Sequence, residues 1–227
     1  MKFPAKLSLQ KIKSAAFTTV CGTLLVAATL PAVAQTKYTS TPKGCDVKIE
    51  GTSSLHDWEM EGSLIGGFLE FGPGVQLDPA QATVGGITGD KVPATGRVII
   101  PVRSVHSKAD HLPDVMEHLM QDALKEPQFP RIEFNLKEMA FKGPHEAGKP
   151  FNFEVTGDLS ISGVTNAATF PITITQVDAD TIKVSGTAPV NLPQYNITPP
   201  APSFGLGLMK TGPDVKIIFD WSLHKKQ

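Results

Sequence analysis

Through most of the chain beyond residue 45, apolar and polar side chains alternate one by one. Val215, Ile217, Phe219, Trp221 and Leu223 alternate with Asp214, Lys216, Ile218, Asp220 and Ser222. Phe151, Phe153, Val155, Leu159 and Ile161 alternate with Asn152, Glu154, Thr156, Ser160 and Ser162. The rhythm recurs in Ala168-Phe170-Ile172-Ile174, Val47-Ile49-Gly51, Trp58-Met60-Gly62-Leu64, Val98-Ile100-Val102, Ile132-Phe134-Leu136 and Ile182-Val184-Gly186-Ala188-Val190. A strand sends successive side chains to opposite faces, so period two predicts strands with one apolar and one wet face, as in an antiparallel sheet. About eight such segments are joined by turn-forming stretches such as Gly66-Gly67, Gly72-Pro73-Gly74 and Lys142-Gly143-Pro144. Between Pro113 and Leu124 the period changes: Val115, Met116, Leu119, Met120 and Ala123 recur at helical spacing behind a well-placed proline. One short helix cannot cover such a sheet, so the apolar faces must cover each other, in a sandwich or a closed barrel. An eight-strand barrel can be filled by its own side chains or hold one small ligand. Small inward residues (Gly51, Gly62, Ala168, Gly186 and Ala188) fit either a cavity or ordinary strand bending.

The N-terminus reads as an address. Lys2, Lys6, Lys11 and Lys13 precede an apolar run from Ser14 to Leu30, and Pro31-Ala32-Val33-Ala34-Gln35 follows. This order predicts a secretory leader over residues 1–34, cleaved after Ala34, with residues 35–227 as one domain in the periplasm or secreted. An uncleaved anchor is the alternative, although Thr18, Thr19, Gly22 and Thr23 dilute the run. With the four leader lysines set aside, 17 of the 21 basic residues face 22 acidic ones, a net charge of −5. A mildly acidic body without a basic stripe does not suit a phosphate backbone, so nucleic acid is not an expected partner. The 41% hydrophobic and 19% charged content is that of a globular chain with a single core. Only Cys45 survives cleavage; it cannot form an intramolecular disulfide and reads as a small buried residue where the first strand begins.

Candidate chemistry is sparse. His56-Asp57 could form an acid–base pair, but neighbours in a strand face opposite ways. No Gly-x-Ser-x-Gly elbow is present, and Lys210-Thr211-Gly212 lacks the Ser-x-x-Lys companion that would make it more than a turn. His111, Asp114 and His118 could line one helix face as zinc ligands, yet imidazoles at i and i+7 stand about 10 Å apart along the axis. With Glu117 beside them, a solvated polar face is expected, and neither a catalytic group nor a metal.

Four stretches occur in a telling order: Gly51-Thr52-Ser53-Ser54-Leu55-His56-Asp57-Trp58, Phe129-Pro130-Arg131-Ile132-Glu133-Phe134, Gly157-Asp158-Leu159-Ser160-Ile161-Ser162-Gly163-Val164-Thr165 and Tyr195-Asn196-Ile197-Thr198-Pro199-Pro200. With them the chain resembles the YceI-like periplasmic lipid-binding proteins over most of its mature length. The resemblance implies an eight-stranded antiparallel lipocalin-like barrel, with one short helix near its mouth, around a polyisoprenoid, an isoprenoid quinone or a fatty-acid-like chain. Two departures stand out. Lys108-Ala109-Asp110-His111 replaces the family's usual Arg-Asp pair before the helix, and Gln76 to Thr95 reads as an insertion.

Lipid binding also has a direct physical case. A chain is held by removing apolar area from water, at about 25 cal/mol per Å², which requires a dry interior with few polar groups at depth. The inward wall residues expected to contact such a ligand are Trp58, Met60, Phe134, Leu136, Phe153, Val155, Phe170, Ile172, Phe219 and Trp221. The helix and the apolar stretch from Leu192 to Thr211, which includes Phe204-Gly205-Leu206-Gly207-Leu208-Met209, form the expected rim or lid; a loop packed permanently over one barrel end is the alternative. The expected partners are the amphiphile itself, with no other cofactor, and transiently a membrane; the chain is expected to be a monomer or a weak homodimer. The competing expectations are an enzyme acting on a lipid-like substrate near His56, Asp57 or Tyr195, and an envelope interaction module with a filled barrel.

Overall fold

The computed structural model describes residues 35–110, 112–201 and 210–226. Eleven strands and one α-helix follow in the order β1 (Thr36–Ser40), β2 (Asp46–Ser53), β3 (Trp58–Gly62), β4 (Gly66–Phe71), β5 (Ala94–Pro101), β6 (Val105–Ser107), α1 (Pro113–Ala123), β7 (Arg131–Phe141), β8 (Phe151–Ile161), β9 (Val164–Gln176), β10 (Thr181–Asn191) and β11 (Thr211–Lys225). The ring β1-β4-β5-β7-β8-β9-β10-β11 closes through β1–β11 pairing, giving an eight-stranded antiparallel barrel rather than a sandwich. Three staves are broken. The registers Thr36↔Phe71 and Gly51↔Trp58 make β1 and β2 two halves of one strand, opposite β4 and β3 as two halves of the next. β5 and β6 form the third, interrupted by a 3₁₀ turn at Val102–Ser104. The leader predicted over residues 1–34 lies outside the described residues, which fall within one unit, Val33–Gln227. No helix among the described residues is long and apolar enough to cross a membrane.

The breaks account for what the alternation missed. The run Trp58-Met60-Gly62 ends at Gly62, and the buried position then passes to Ile65, 1% exposed, while Leu64 is 48% exposed and not the inward residue its spacing predicted. β1, β4 and β6 are too short or too glycine-rich to carry a pattern of their own. In β7 a register shift between Leu136 and Glu138 moves the inward phase from Phe134 to Met139 and Phe141. On α1, Met116, Met120 and Ala123 pack against the core, whereas Val115 is exposed, because at about 100° per residue it lies outside the arc the others share.

The two barrel ends differ. At one, residues 72–93 fold across the opening, joined by the Gln76↔Gly85 bridge and burying Val75, Val84 and Val92. Beneath them Phe141, Phe151 and Phe153 pack with ring centroids 5.7 to 6.5 Å apart, and His145 stacks on Phe151 at 3.8 Å. The insertion read from the sequence is thus a plug. The opposite end carries the β2–β3 turn, α1, the β8–β9 turn and residues 192–200. Here Leu192, Tyr195 and Ile197 are buried, so the described part of the predicted lid packs into the barrel end; Phe204 to Met209 lie outside the described residues.

Candidate functional site

Inside the ring lie two apolar chambers. The outer one, ≈ 90 Å³, sits under the helix and is walled by Ile49, Trp58 and Met60 from β2 and β3, by Met116, Leu119 and Met120 from α1, and by Val190, Ile197 and Val215. The inner one, ≈ 70 Å³, lies at mid-barrel between Phe134, Leu136, Val155, Phe170, Ile172, Ala188, Phe219 and Trp221. Ile132 and Ile217 line both and form the waist between them. Each is smaller than the roughly 300–1,000 Å³ of a ligand pocket, so a long chain fits only if the waist side chains rotate or α1 shifts.

Of the ten residues read from the sequence as ligand wall, Trp58 and Met60 line the outer chamber and Phe134, Leu136, Val155, Phe170, Ile172, Phe219 and Trp221 the inner one. Phe153 lines neither; it is 1% exposed among the plug aromatics, because it lies only two residues from the capped end of β8. The helix contribution and the waist were missed. Their signal was the apolar stripe of Met116, Leu119 and Met120, read only as a rim. The small inward residues separate the two readings they allowed. A Cβ on Gly51 would stand 2.2 Å from the Trp58 ring, and one on Gly186 2.8 Å from Phe219, so these glycines are covered by aromatic side chains. Ala188 alone of the five lines the inner chamber.

Both tryptophans are fixed by their indole N–H groups. Trp58 donates to the Thr52 carbonyl at 3.1 Å, and Trp221 donates to the Ser40 hydroxyl, which donates onward to the Ile65 carbonyl. Among the described residues the outer chamber has three polar lining residues, Ser53, His56 and Thr211, and no charged one. Ser53 Oγ donates to the His56 carbonyl at 2.6 Å and accepts from the Leu55 and His56 amides. His56 Nδ1 donates to the Asp57 carbonyl at 2.8 Å, and the Asp57 carboxylate belongs to an outer groove with Glu50, Glu59 and Asp214. His56 and Asp57 therefore do not form the acid–base pair the sequence allowed. Tyr195 is buried, which pushes its phenol up, with Asn166 opposing. Cys45 is buried as expected, with its thiol near the carbonyls of Thr41, Ser222 and Ile65.

The polar helix face is committed to holding α1 down. Glu117 Oε2 lies 3.2 Å from His106 Nδ1, and its Oε1 accepts the Ser107 amide at 3.0 Å. Partial burial opposes the Glu117 charge, but the bonds from His106 and Ser107 outweigh it and hold the carboxyl below the usual range. Glu126, 5% exposed just beyond the helix, pairs with Arg103 at 2.8 Å. His118 Nδ1 donates to the Asp114 carbonyl at 2.6 Å. No group of three metal-ligating side chains occurs among the described residues; His111, the third proposed zinc ligand, lies outside them.

A profile of the YceI-like domain matches residues 38–223. The structure is similar to that of Burkholderia cenocepacia BcnA, at 19% identity and a TM-score of 0.53, over 78% of this chain and 95% of that one. It is equally similar to a polyisoprenoid-binding domain from Saccharophagus degradans implicated in plant cell wall breakdown, at 12% identity and a TM-score of 0.53, over 84% of this chain and 98% of that one. Among curated proteins nothing matched. The structural likenesses speak to the fold, and the profile to ancestry.

Proposed function

Because the chain belongs to the YceI-like domain family, we propose that it holds a long-chain amphiphile, a polyisoprenoid, isoprenoid quinone or fatty-acid-like molecule, inside the barrel without transforming it. The observation that carries this reading is a pair of chambers walled almost wholly by apolar side chains and opening beneath a helix that buries none of its residues fully. Such a wall holds a hydrocarbon by excluding water, and among the described mid-barrel lining residues there is no titratable or nucleophilic side chain. The polyisoprenoid binding of the Saccharophagus domain supports the same ligand class here. Export to the periplasm or beyond, through removal of residues 1–34, belongs to the same proposal, as do a monomeric or weakly dimeric state and transient contact with a membrane at the helix end.

A second reading, a filled barrel acting as an envelope interaction module, draws support from the small chamber volumes and the aromatic plug. One experiment separates them. Protein purified from its native host and extracted with organic solvent should release a long-chain lipid detectable by mass spectrometry. Ala188→Phe, which fills the inner chamber, should lower retention about tenfold, equivalent to ~1.4 kcal/mol. Lipid-free protein that also ignores hydrophobic dyes would leave the interaction module standing.

A further inference from the structure

The few polar side chains at the chamber mouth bear on what ligand head the barrel would accept, as well as on its tail. Among the described residues the inner chamber has no charged residue in its wall, and the indole N–H of Trp221 is spent on Ser40. A polar head placed there would lose its hydrogen bonds to water and gain none. The tail therefore goes in first and the head stays in the outer chamber. Of the three polar residues that wall has among the described residues, Ser53 is saturated by its bonds to the Leu55 and His56 backbone; it positions the loop and offers nothing to a ligand. His56 is left, with Thr211 opposite Ser53 in the β2–β11 ladder.

The hydrogen bond of His56 fixes what it can recognise. A carbonyl oxygen only accepts, so Nδ1, 2.8 Å from the Asp57 carbonyl, carries the proton. In the neutral ring Nε2 is then an acceptor, and it asks for a donor on the ligand. Electrostatics narrows the choice. Among the described lining residues of the outer chamber none is Lys or Arg, so a carboxylate or phosphate head would sit against apolar walls with no counter-charge among them. An acceptor-only head such as an ether leaves Nε2 unmatched.

Resting on the carrier reading above, we propose that the mouth selects amphiphiles whose head is a single uncharged hydrogen-bond donor, an alcohol above all, bound at His56 Nε2 beside Thr211. The alcohol O–H donates to Nε2, and its oxygen remains free to accept from the Thr211 hydroxyl or water.

Farnesol, farnesyl methyl ether and farnesoic acid share one tail and differ only at the head, with farnesene as the headless reference. The chain has two tryptophans, and they divide between the chambers, Trp58 in the outer and Trp221 in the inner. Fluorescence titration of Trp58→Phe and Trp221→Phe proteins thus reads tail and head occupancy separately. Farnesol should bind about fivefold to tenfold more tightly than the ether or the acid, the worth of one hydrogen bond. In His56→Phe, checked for folding by its thermal melt, the preference should fall to within about twofold. Thr211→Val should reduce it partially. Equal wild-type affinity for all three heads, or a preference untouched in a folded His56→Phe protein, would overturn the head-group assignment while leaving carriage intact. Failure of every probe, farnesene included, would overturn carriage and this assignment together.

Discussion

Glycines and aromatic rings meet in pairs along this barrel, and two of the pairs join motifs that the sequence only sets in order. The Trp58 ring covers Gly51, Phe129 lies against Gly163, and Phe134 lies against Gly157. Each glycine is a place where a ring or a backbone crosses the wall too closely for a Cβ. At Gly157 the added carbon would stand 2.3 Å from the Asn135 carbonyl oxygen and 2.6 Å from the Phe134 ring. Because the backbone cannot yield as a side-chain tip can, Gly157→Ala should destabilise the protein by about 1–3 kcal/mol, read as a shifted urea midpoint at unchanged slope. Gly163 has a second constraint: with Ser162 at φ 49° and Gly163 at φ +80°, the two residues joining Ile161 to Val164 form a tight turn with both centres left-handed. In the sequence the Ser-Gly pair stood only within one of the four stretches that carry the resemblance. That Phe129 rests on it was not visible there, since thirty-odd residues separate them.

Beyond its core contacts through Met116, Met120 and Ala123, α1 is held by polar anchors. None of its residues is fully buried, and its anchors are Glu117 to His106 and Ser107, with Arg103 to Glu126 just past its end. The lowered Glu117 carboxyl gives this attachment a pH dependence of definite sign. A carboxyl depressed by folding adds stability that is fully present above its ordinary value, about 4.3, and is lost as pH falls through the lower folded value. Amide exchange in α1, corrected for intrinsic rates, should therefore quicken below about pH 4 relative to the barrel strands. Glu117→Gln should quicken it at neutral pH and flatten the step. A helix whose exchange ignores both would not be held by this carboxylate. The helix was legible from its period and its proline, but its role was not: Glu117 reads as part of a solvated face until β6 brings His106 and Ser107 beside it.

For the whole molecule, the asymmetry of the two ends sets how a ligand could come and go. The plug of residues 72–93 and the aromatic cluster close one end, so exchange is left to the helix end. There the exposed side chains Leu55, Leu112, Val115 and Phe129 lie on the β2–β3 turn, on α1 and on the segments flanking it. Scattered apolar residues are ordinary on a surface, but four at the end that opens to the chambers suit contact with a lipid interface. Leu55→Asp with Leu112→Asp should reduce co-flotation with phosphatidylcholine vesicles about threefold or more. Unchanged flotation would remove the membrane from the proposal.

Strict alternation determined by itself that this chain makes antiparallel sheet whose apolar faces cover each other, because side-chain direction in a strand follows residue parity wherever the strand ends up. That the sheet closes as a barrel and not a sandwich was decided by the pairing of β1 with β11. The eight segments it marked are the eight staves, even where β1, β4 and β6 went unread. Parity also placed nine of the ten expected wall residues at the chambers. What parity cannot give is depth along the barrel axis. Phe153 and Phe170 are inward alike, yet one packs in the plug and the other lines a chamber, and only the register between strands and the fold of an irregular insertion decide which. The waist at Ile132 and Ile217 has the same origin, since two isoleucines distant in the chain narrow the interior only because β7 and β11 face each other across a closed ring.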